Sequence, residues 1–112
     1  MNISKAILVF ASVMLVSEGA FAAETLDAES VKKLISNKTV HAETPNGKLI
    51  TYFSPDGKAI RKGDEGTWTV KQDGTHCIDG MRGGCAKVSS NGDGTYTRGP
   101  VKWTSFVEGK AL

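Results

Sequence analysis

Turn-forming residues recur about every ten positions from Thr39 onward. Glycine adopts positive φ at little steric cost, and Asn-Gly and Asp-Gly are the strongest short signals for β-hairpins. The chain has thirteen glycines, and a helix-rich fold does not accommodate them at this spacing. The pattern therefore restricts most of the chain to short antiparallel strands. The turn signals are Pro45-Asn46-Gly47, Pro55-Asp56-Gly57, Gly63-Asp64-Glu65-Gly66, Asp73-Gly74 and Asn91-Gly92-Asp93-Gly94.

Runs typical of β-strands fill the segments between these turns. In the run around Trp68, Val70 shares the face of the indole, and alternation near the C-terminus places Val101, Trp103 and Val107 on one face. We predict a mainly β fold, an antiparallel meander of about seven strands that forms a twisted sheet or a small open barrel. Tyr52, Phe53 and Trp68 are the large side chains expected in its core. The predicted runs are 39–43, 49–53, 58–62, 67–71, 75–78, 85–89, 95–98 and 101–107.

One short N-terminal helix is expected over residues 25–35. Thr25 or Asp27 suits its N-cap, and Ser36-Asn37 suits its end. Its apolar residues form one narrow stripe, which predicts a helix lying across the sheet, with partner binding as the alternative. The stripe consists of Leu26, Val31, Leu34 and Ile35.

Residues 1–22 have the three parts of an export signal. A basic start containing Lys5 precedes an apolar run at 6–16, and Ala20-Phe21-Ala22 fits the A-x-A cleavage rule. The run is too short for a membrane-spanning helix, which needs about twenty residues. The alternative is a buried N-terminal helix. We predict a signal peptide over 1–22 and a single β-rich domain over 23–112, located in the periplasm or secreted, with no membrane span after cleavage.

Ten residues, 76–85, hold His76, Met81 and both cysteines of the chain. In an oxidising compartment two cysteines in a small domain usually pair, so we predict a disulfide between Cys77 and Cys85. Closing so short a loop stabilises a fold by roughly 2–3 kcal/mol on the chain-entropy estimate. A copper site is the alternative, and it needs a second histidine, for which His41 is the candidate. A His41–His76 metal pair requires the first and fifth strands to meet.

Charge and motif content predict neither nucleic-acid binding nor catalysis. Basic residues exceed acidic ones by only two, and no phosphate-binding loop or nucleophile motif occurs. The loose group of Lys58, Arg61 and Lys62 favours a solvated strand edge, with an anion site as the alternative. Asp64-Glu65 is expected in an exposed turn. We therefore predict a monomer that is not an enzyme and carries no cofactor and no metal.

Several motifs resemble one family. Tyr52-Phe53-Ser54-Pro55-Asp56-Gly57 has the pattern Y-F-x-x-D-G, Gly66-Thr67-Trp68-Thr69-Val70 has G-x-W-x-V, and the cysteine pair follows. Leu34 and Asn37-Lys38-Thr39 precede them, with asparagine where the family has glycine. This arrangement resembles a group of small exported proteobacterial proteins that share a domain of unknown function. The resemblance implies a fold more than an activity.

We expect an exported, non-enzymatic β-module that binds a periplasmic or extracellular protein. The loop 79–84 is the candidate contact, because Met81 and Arg82 are expected to protrude from a tip braced by the disulfide. One alternative is an inhibitor or immunity-like protein that acts on a lytic enzyme. Another is a binder of haem or a small apolar ligand, in a cavity lined by Tyr52, Trp68 and Trp103.

Overall fold

The computed structural model describes residues 24–112, so the predicted signal peptide at 1–22 lies outside the described residues. These described residues form one helix and ten strands. The helix is α1 (Ala28–Ile35). The strands are β1 (Glu24–Thr25), β2 (Lys38–Thr44), β3 (Gly47–Phe53), β4 (Lys58–Arg61), β5 (Asp64–Val70), β6 (His76–Asp79), β7 (Gly84–Ala86), β8 (Val88–Ser90), β9 (Tyr96–Arg98) and β10 (Val101–Glu108). No helix among residues 24–112 is both long and apolar enough to cross a membrane.

The mainly β antiparallel fold with one short helix is confirmed, but the sheet has ten strands rather than about seven. The strand predicted at 85–89 divides at Lys87 into β7 and β8. These two strands belong to different parts of the sheet, because β7 pairs with β6 and β8 pairs with β9. Glu24–Thr25 adds the short strand β1, which pairs with β8.

All ten strands belong to one antiparallel sheet with the order β1-β8-β9-β10-β2-β3-β4-β5-β6-β7. It consists of two meanders, β2 to β7 and β8 to β10, which join where β10 pairs with β2. Only Lys87 separates β7 from β8 along the chain, although they lie towards opposite ends of the sheet order. The sheet therefore curves round on itself into an open half-barrel.

The helix α1 closes one end of this half-barrel. Asp27 is its N-cap, and the Asp27 Oδ1 atom accepts a 2.9 Å hydrogen bond from the Ser30 amide. Leu26, expected inside the helix, lies before it. Val31 and Ile35 are buried against the sheet. At Asn37 the chain takes a positive φ of 61° and enters β2, and the Asn37 amide donates to the Phe53 carbonyl at the end of β3.

Aromatic rings fill the interior beside the helix. Phe53 packs edge-on against Trp68, with ring centroids 5.8 Å apart, and Trp103 lies 6.3 Å from Phe53. The expectation that Tyr52 joins this core is wrong, since its neighbours Thr51 and Phe53 point inward. Tyr52 lies on the outer face, where its hydroxyl donates to the Asn37 side-chain oxygen at 2.7 Å.

A β-bulge in β10 changes which side chains face the core. Trp103 pairs with Ala42 and Ser105 pairs with His41, so Thr104 is the extra residue. Its hydroxyl donates to the His41 carbonyl at 3.1 Å. Simple alternation places Val107 on the same face as Trp103, and this prediction is wrong: Trp103 is buried and Val107 is 40% exposed. Phe106 points inward instead and packs edge-on against the Trp103 ring.

The hairpin between β4 and β5 is tighter than expected. Its turn is Lys62–Gly63, and Asp64-Glu65, expected in that turn, already belongs to β5. Gly66 follows within the strand, and a Cβ atom placed there would overlap the Asp79 carbonyl of β6. Glycine at this position allows β5 and β6 to approach closely, as the sequence suggested.

Candidate functional site

A cavity of about 460 Å³ lies inside the half-barrel at the end opposite α1. In an antiparallel meander alternate turns lie at opposite ends. The turns 45–46, 62–63 and 99–100 and the loop 80–83 surround this open end, whereas α1 enters the sheet at the other. The walls are largely apolar, from Val40, Ala42, Leu49, Phe53, Val101 and Trp103. The sheet thus holds an apolar chamber with one open end.

Among residues 24–112, three arginines line this cavity and no aspartate or glutamate does. Arg61 ends β4 and Arg98 ends β9, both at the open end of the half-barrel. Arg82 lies in the loop between β6 and β7. The three strand and loop positions are far apart in sequence, and the curvature of the sheet brings them to one chamber. The result is a cationic apolar cavity.

Arg98 is almost entirely enclosed, with 5% of its surface exposed. Its Nε atom donates to His76 Nδ1 at 2.7 Å. Its terminal nitrogens donate to the backbone carbonyls of His76, Gly83 and Gly84 at 2.7–3.1 Å. Burial, and then the nearby charge of Arg61, lowers the pKa of Arg98 to about 10. Arg98 therefore remains a cation at neutral pH, and it joins β9 to β6 and β7 across the open side of the sheet.

Arg61 is half-buried and held by two contacts. Its Nε atom donates to the Thr51 hydroxyl at 2.9 Å, and Nη1 donates to the Arg82 carbonyl at 2.8 Å. Burial lowers the pKa of Arg61; Asp64 opposes this shift, and the charge of Arg82 adds to it. Among residues 24–112, no acceptor engages the Nη2 atom. Arg61 is therefore fixed in place with donors to spare.

The two residues expected to protrude from the 79–84 loop behave differently. Arg82 is exposed at the cavity. Met81 is only partly exposed and packs against the hydrophobic core, beside Gly66. The prediction that Met81 protrudes is wrong, because Gly66 leaves a space that the thioether side chain fills. Arg82 alone of the pair is positioned to contact a ligand or partner.

Cys77 and Cys85 pair across β6 and β7, and their sulfur atoms lie at disulfide-bonding distance. This crosslink holds β7 against β6. It also holds the segment 83–84, whose two carbonyls accept from Arg98. The disulfide therefore supports one wall of the cavity, although neither cysteine lines it.

His76 lies inside the core and His41 does not. The His76 ring is fully buried among Phe53, Trp68 and Trp103, with centroids 5.1–6.0 Å away. Burial, and then the charge of Arg98, lowers its pKa to about 3. The imidazole is thus neutral, with Nδ1 as acceptor and the proton on Nε2, which has no hydrogen-bond partner among the described residues.

His41 alternates with the buried Val40 and Ala42 and lies on the outer face of β2, opposite Ile50 and Ser105. The structure does not bring His41 and His76 together, because three strands separate β2 from β6 and the two rings occupy opposite faces. Within residues 24–112, no group of three or more His, Cys, Asp or Glu residues has the arrangement of a metal site.

Part of the site was not visible in the sequence pattern. Arg82 was identified as a contact, and Arg61 belonged to the basic group for which an anion site was the alternative. Arg98 was not considered. The sequence feature that could have identified Arg98 is its position two residues after Tyr96, because strand alternation puts both side chains on the inner face of β9. The cavity differs from the one expected to be lined by Tyr52, Trp68 and Trp103. Of these three rings, only Trp103 lines the observed cavity.

Guanidinium groups keep their protons and act as hydrogen-bond donors, so a cavity with this lining is suited to binding an anionic group beside an apolar one. The family-model comparison, the search of curated proteins and the search of solved structures each returned no match.

Proposed function

We propose that this chain is an exported, non-enzymatic binding module that holds its ligand or partner at the open end of the half-barrel. The observation that carries the proposal is the apolar cavity lined by Arg61, Arg82 and Arg98, to which the described part of the chain contributes no acidic residue. Sites for small ligands combine apolar walls with a few convergent polar groups. In this cavity the charged polar groups are the three guanidiniums, which donate hydrogen bonds and cannot act as bases at neutral pH.

Export is supported by the three-part segment at 1–22 and by the Cys77–Cys85 crosslink, which is typical of proteins that fold in an oxidising compartment. The occupant is then a molecule of the periplasm or the cell exterior. The 79–84 loop contributes to binding through Arg82, at the mouth of the chamber.

Site-specific photocrosslinking in cells tests this function and captures the occupant whatever its identity. A photoreactive amino acid replaces Asn46, which lines the cavity in the turn between β2 and β3. The control position is Gln72, an exposed residue in the turn between β5 and β6, at the end closed by α1. We expect a discrete adduct, detected as a mass shift after irradiation, from position 46 and none from position 72. Adducts from position 72 alone, or from neither position, would contradict the proposal.

A further inference from the structure

We infer that the occupant of the cavity is an organic carboxylate with an apolar body. This inference rests on the proposed function and specifies its ligand. The carboxylate binds at Arg61 and Arg82, and the apolar portion lies against Leu49, Val101 and Trp103. Four observations carry the assignment: the charge of the lining, the way Arg61 is held, the depth of Arg98, and the size and polarity of the walls.

No arginine of the cavity has an ion-pair partner among residues 24–112. The ion pairs among residues 24–112 are Lys38–Glu108, Lys58–Glu65 and Lys87–Asp73, none of which involves an arginine of the cavity. Asp64, which pairs with Arg61 in register, opposes the lowering of the Arg61 pKa through its charge but makes no ion pair with it, and it lines an adjoining cavity together with Arg61 and Arg82. Buried or half-buried cations are normally paired with an anion. The missing partner is therefore expected from the ligand.

The Arg61 guanidinium is held in an orientation that suits a planar hydrogen-bond acceptor. Thr51 and the Arg82 carbonyl engage Nε and Nη1, and these contacts fix the plane of the guanidinium. The two N–H groups of Nη2 lack an acceptor among the described residues. Guanidinium matches carboxylate geometry, and a group already held in place loses little conformational freedom on binding.

Arg98 contributes to ligand binding through its positive charge more than through direct contact with the ligand. Its hydrogen bonds to His76, Gly83 and Gly84 use four of its five N–H groups. Because Arg98 lies deep in a low-dielectric interior, its charge is weakly screened and attracts an anion into the chamber. Arg98 is thus a positioning residue for the anion, and Arg61 and Arg82 are the binding residues.

The apolar walls of the cavity favour a ligand with an apolar part over an inorganic anion. The volume of about 460 Å³ falls within the range of small-molecule sites, about 300–1,000 Å³. Leu49, Arg61 and Arg82 also line an adjoining cavity of about 530 Å³, whose other lining residues include Lys48, Ile50 and Asp64. A ligand of suitable size therefore places its charge near the mouth and its apolar part on the indole of Trp103.

Calorimetric titration of the oxidised mature protein with octanoate, 1-octanol and acetate tests the inference at low ionic strength. We expect octanoate to bind at least tenfold more tightly than either comparison compound. Acetate lacks the apolar body, and octanol lacks the charge. Added salt should weaken octanoate binding. Equal affinity for octanol and octanoate, or tighter binding of acetate, would overturn the inference.

Two matched variants locate the anion. Arg61→Met removes the cation at the cavity, whereas Lys58→Met removes the same charge from the same strand outside it. Arg61→Met should lower octanoate affinity at least tenfold and leave octanol affinity unchanged, and Lys58→Met should leave both unchanged. Arg82→Met serves the same purpose on an exposed side chain if Arg61→Met does not fold. An unchanged octanoate affinity in the folded arginine variant refutes the assignment.

The crosslinking result separates this inference from the proposed function. If position 46 yields a protein adduct and octanoate does not bind, the arginines serve acidic side chains of a protein partner. The module function then stands, and the carboxylate ligand is rejected. If position 46 yields no adduct and octanoate does not bind, both fail.

Discussion

His76 and Arg98 are the residues whose chemistry depends most on the fold. The imidazole is surrounded by three aromatic rings and accepts a hydrogen bond from a buried cation. Both surroundings disfavour a second positive charge, so the folded protein keeps His76 neutral far below the usual histidine pKa of 6.5. The unfolded chain has no such constraint. Stability should therefore depend on pH through this one side chain.

The direction of the His76 pKa shift determines whether stability rises or falls with pH. Between pH 6.5 and about 3 the unfolded chain binds a proton at residue 76 that the folded chain does not. The free energy of unfolding should be nearly constant from about pH 7.5 to about pH 9 and fall by about 2–3 kcal/mol between about pH 7.5 and pH 4.5. Urea denaturation across this range measures it. The aspartates with lowered pKa, Asp27, Asp56, Asp73 and Asp93, contribute only at lower pH.

A pair of histidine variants isolates the effect. His76→Gln should flatten the pH dependence above pH 4.5, whatever its own cost in stability. His41→Gln, on the outer face, should leave the dependence as in the parent. A flat profile in the parent protein, or the same slope in His76→Gln, would show that residue 76 does not carry the effect.

Residue-level prediction from sequence succeeded where burial follows side-chain type. Phe53 and Trp68 are large and apolar, and they form the core as expected, together with Trp103. It failed for Tyr52 and Arg98 for opposite reasons. Tyr52 is aromatic, yet the alternation of β3 places it outside. Arg98 is charged, and charged residues are rarely enclosed; only its acceptors in β6 and in the 83–84 segment make that burial tolerable, and those contacts are non-local.

At the scale of elements, β10 offers a direct test of the bulge. Phe106 packs against Trp103 and Tyr96, whereas Val107 is exposed. Phe106→Ala should lower the free energy of unfolding by about 2 kcal/mol or more, and Val107→Ala by less than about 0.5 kcal/mol. Denaturant unfolding of both variants measures the difference. The reverse order of costs would mean that β10 alternates without an extra residue at Thr104.

Turn chemistry made most elements predictable. Glycine-containing turns separate the strands, and Asp27 and Ser36 bound the helix where capping rules place its ends. The bulge and the division at Lys87 have no such local signal. A bulge depends on how the partner strand β2 is aligned, and Lys87 lies at a boundary only because β7 and β8 pair with different neighbours. Register with distant strands determined both features.

For the whole molecule, the disulfide is the only side-chain crosslink between strands among residues 24–112. Reduction should lower the free energy of unfolding by roughly 2–3 kcal/mol, because the unfolded chain regains the freedom of the short loop. Chemical denaturation with and without dithiothreitol measures this loss. A Cys77→Ala/Cys85→Ala variant should be insensitive to dithiothreitol. Equal stability of the oxidised and reduced proteins would contradict the expectation.

The architecture itself was largely predictable, and the candidate site was predictable only in part. A meander of short strands follows from local turns, and closing such a sheet around a core follows from its twist. The cavity depends on how far the sheet curves and on which inward side chains stop short of filling it. The resemblance to the small exported family stays a prediction about the fold, and it implies nothing about the side chains that line the cavity.

Because of the strand order, the entropic cost of loop closure during folding is greatest at two strand pairings. Seven of the nine ladders join strands that are neighbours in sequence. The other two, β10 on β2 and β1 on β8, bring together residues about sixty positions apart, and they hold the C-terminal meander on both sides. Long-range pairing requires closure of the largest loops and yields its contacts only afterwards. Glu24 and Thr25 therefore acquire their strand partners only after Ser89 and Ser90 have been synthesised, and β2 acquires its second neighbour only after β10 has been made.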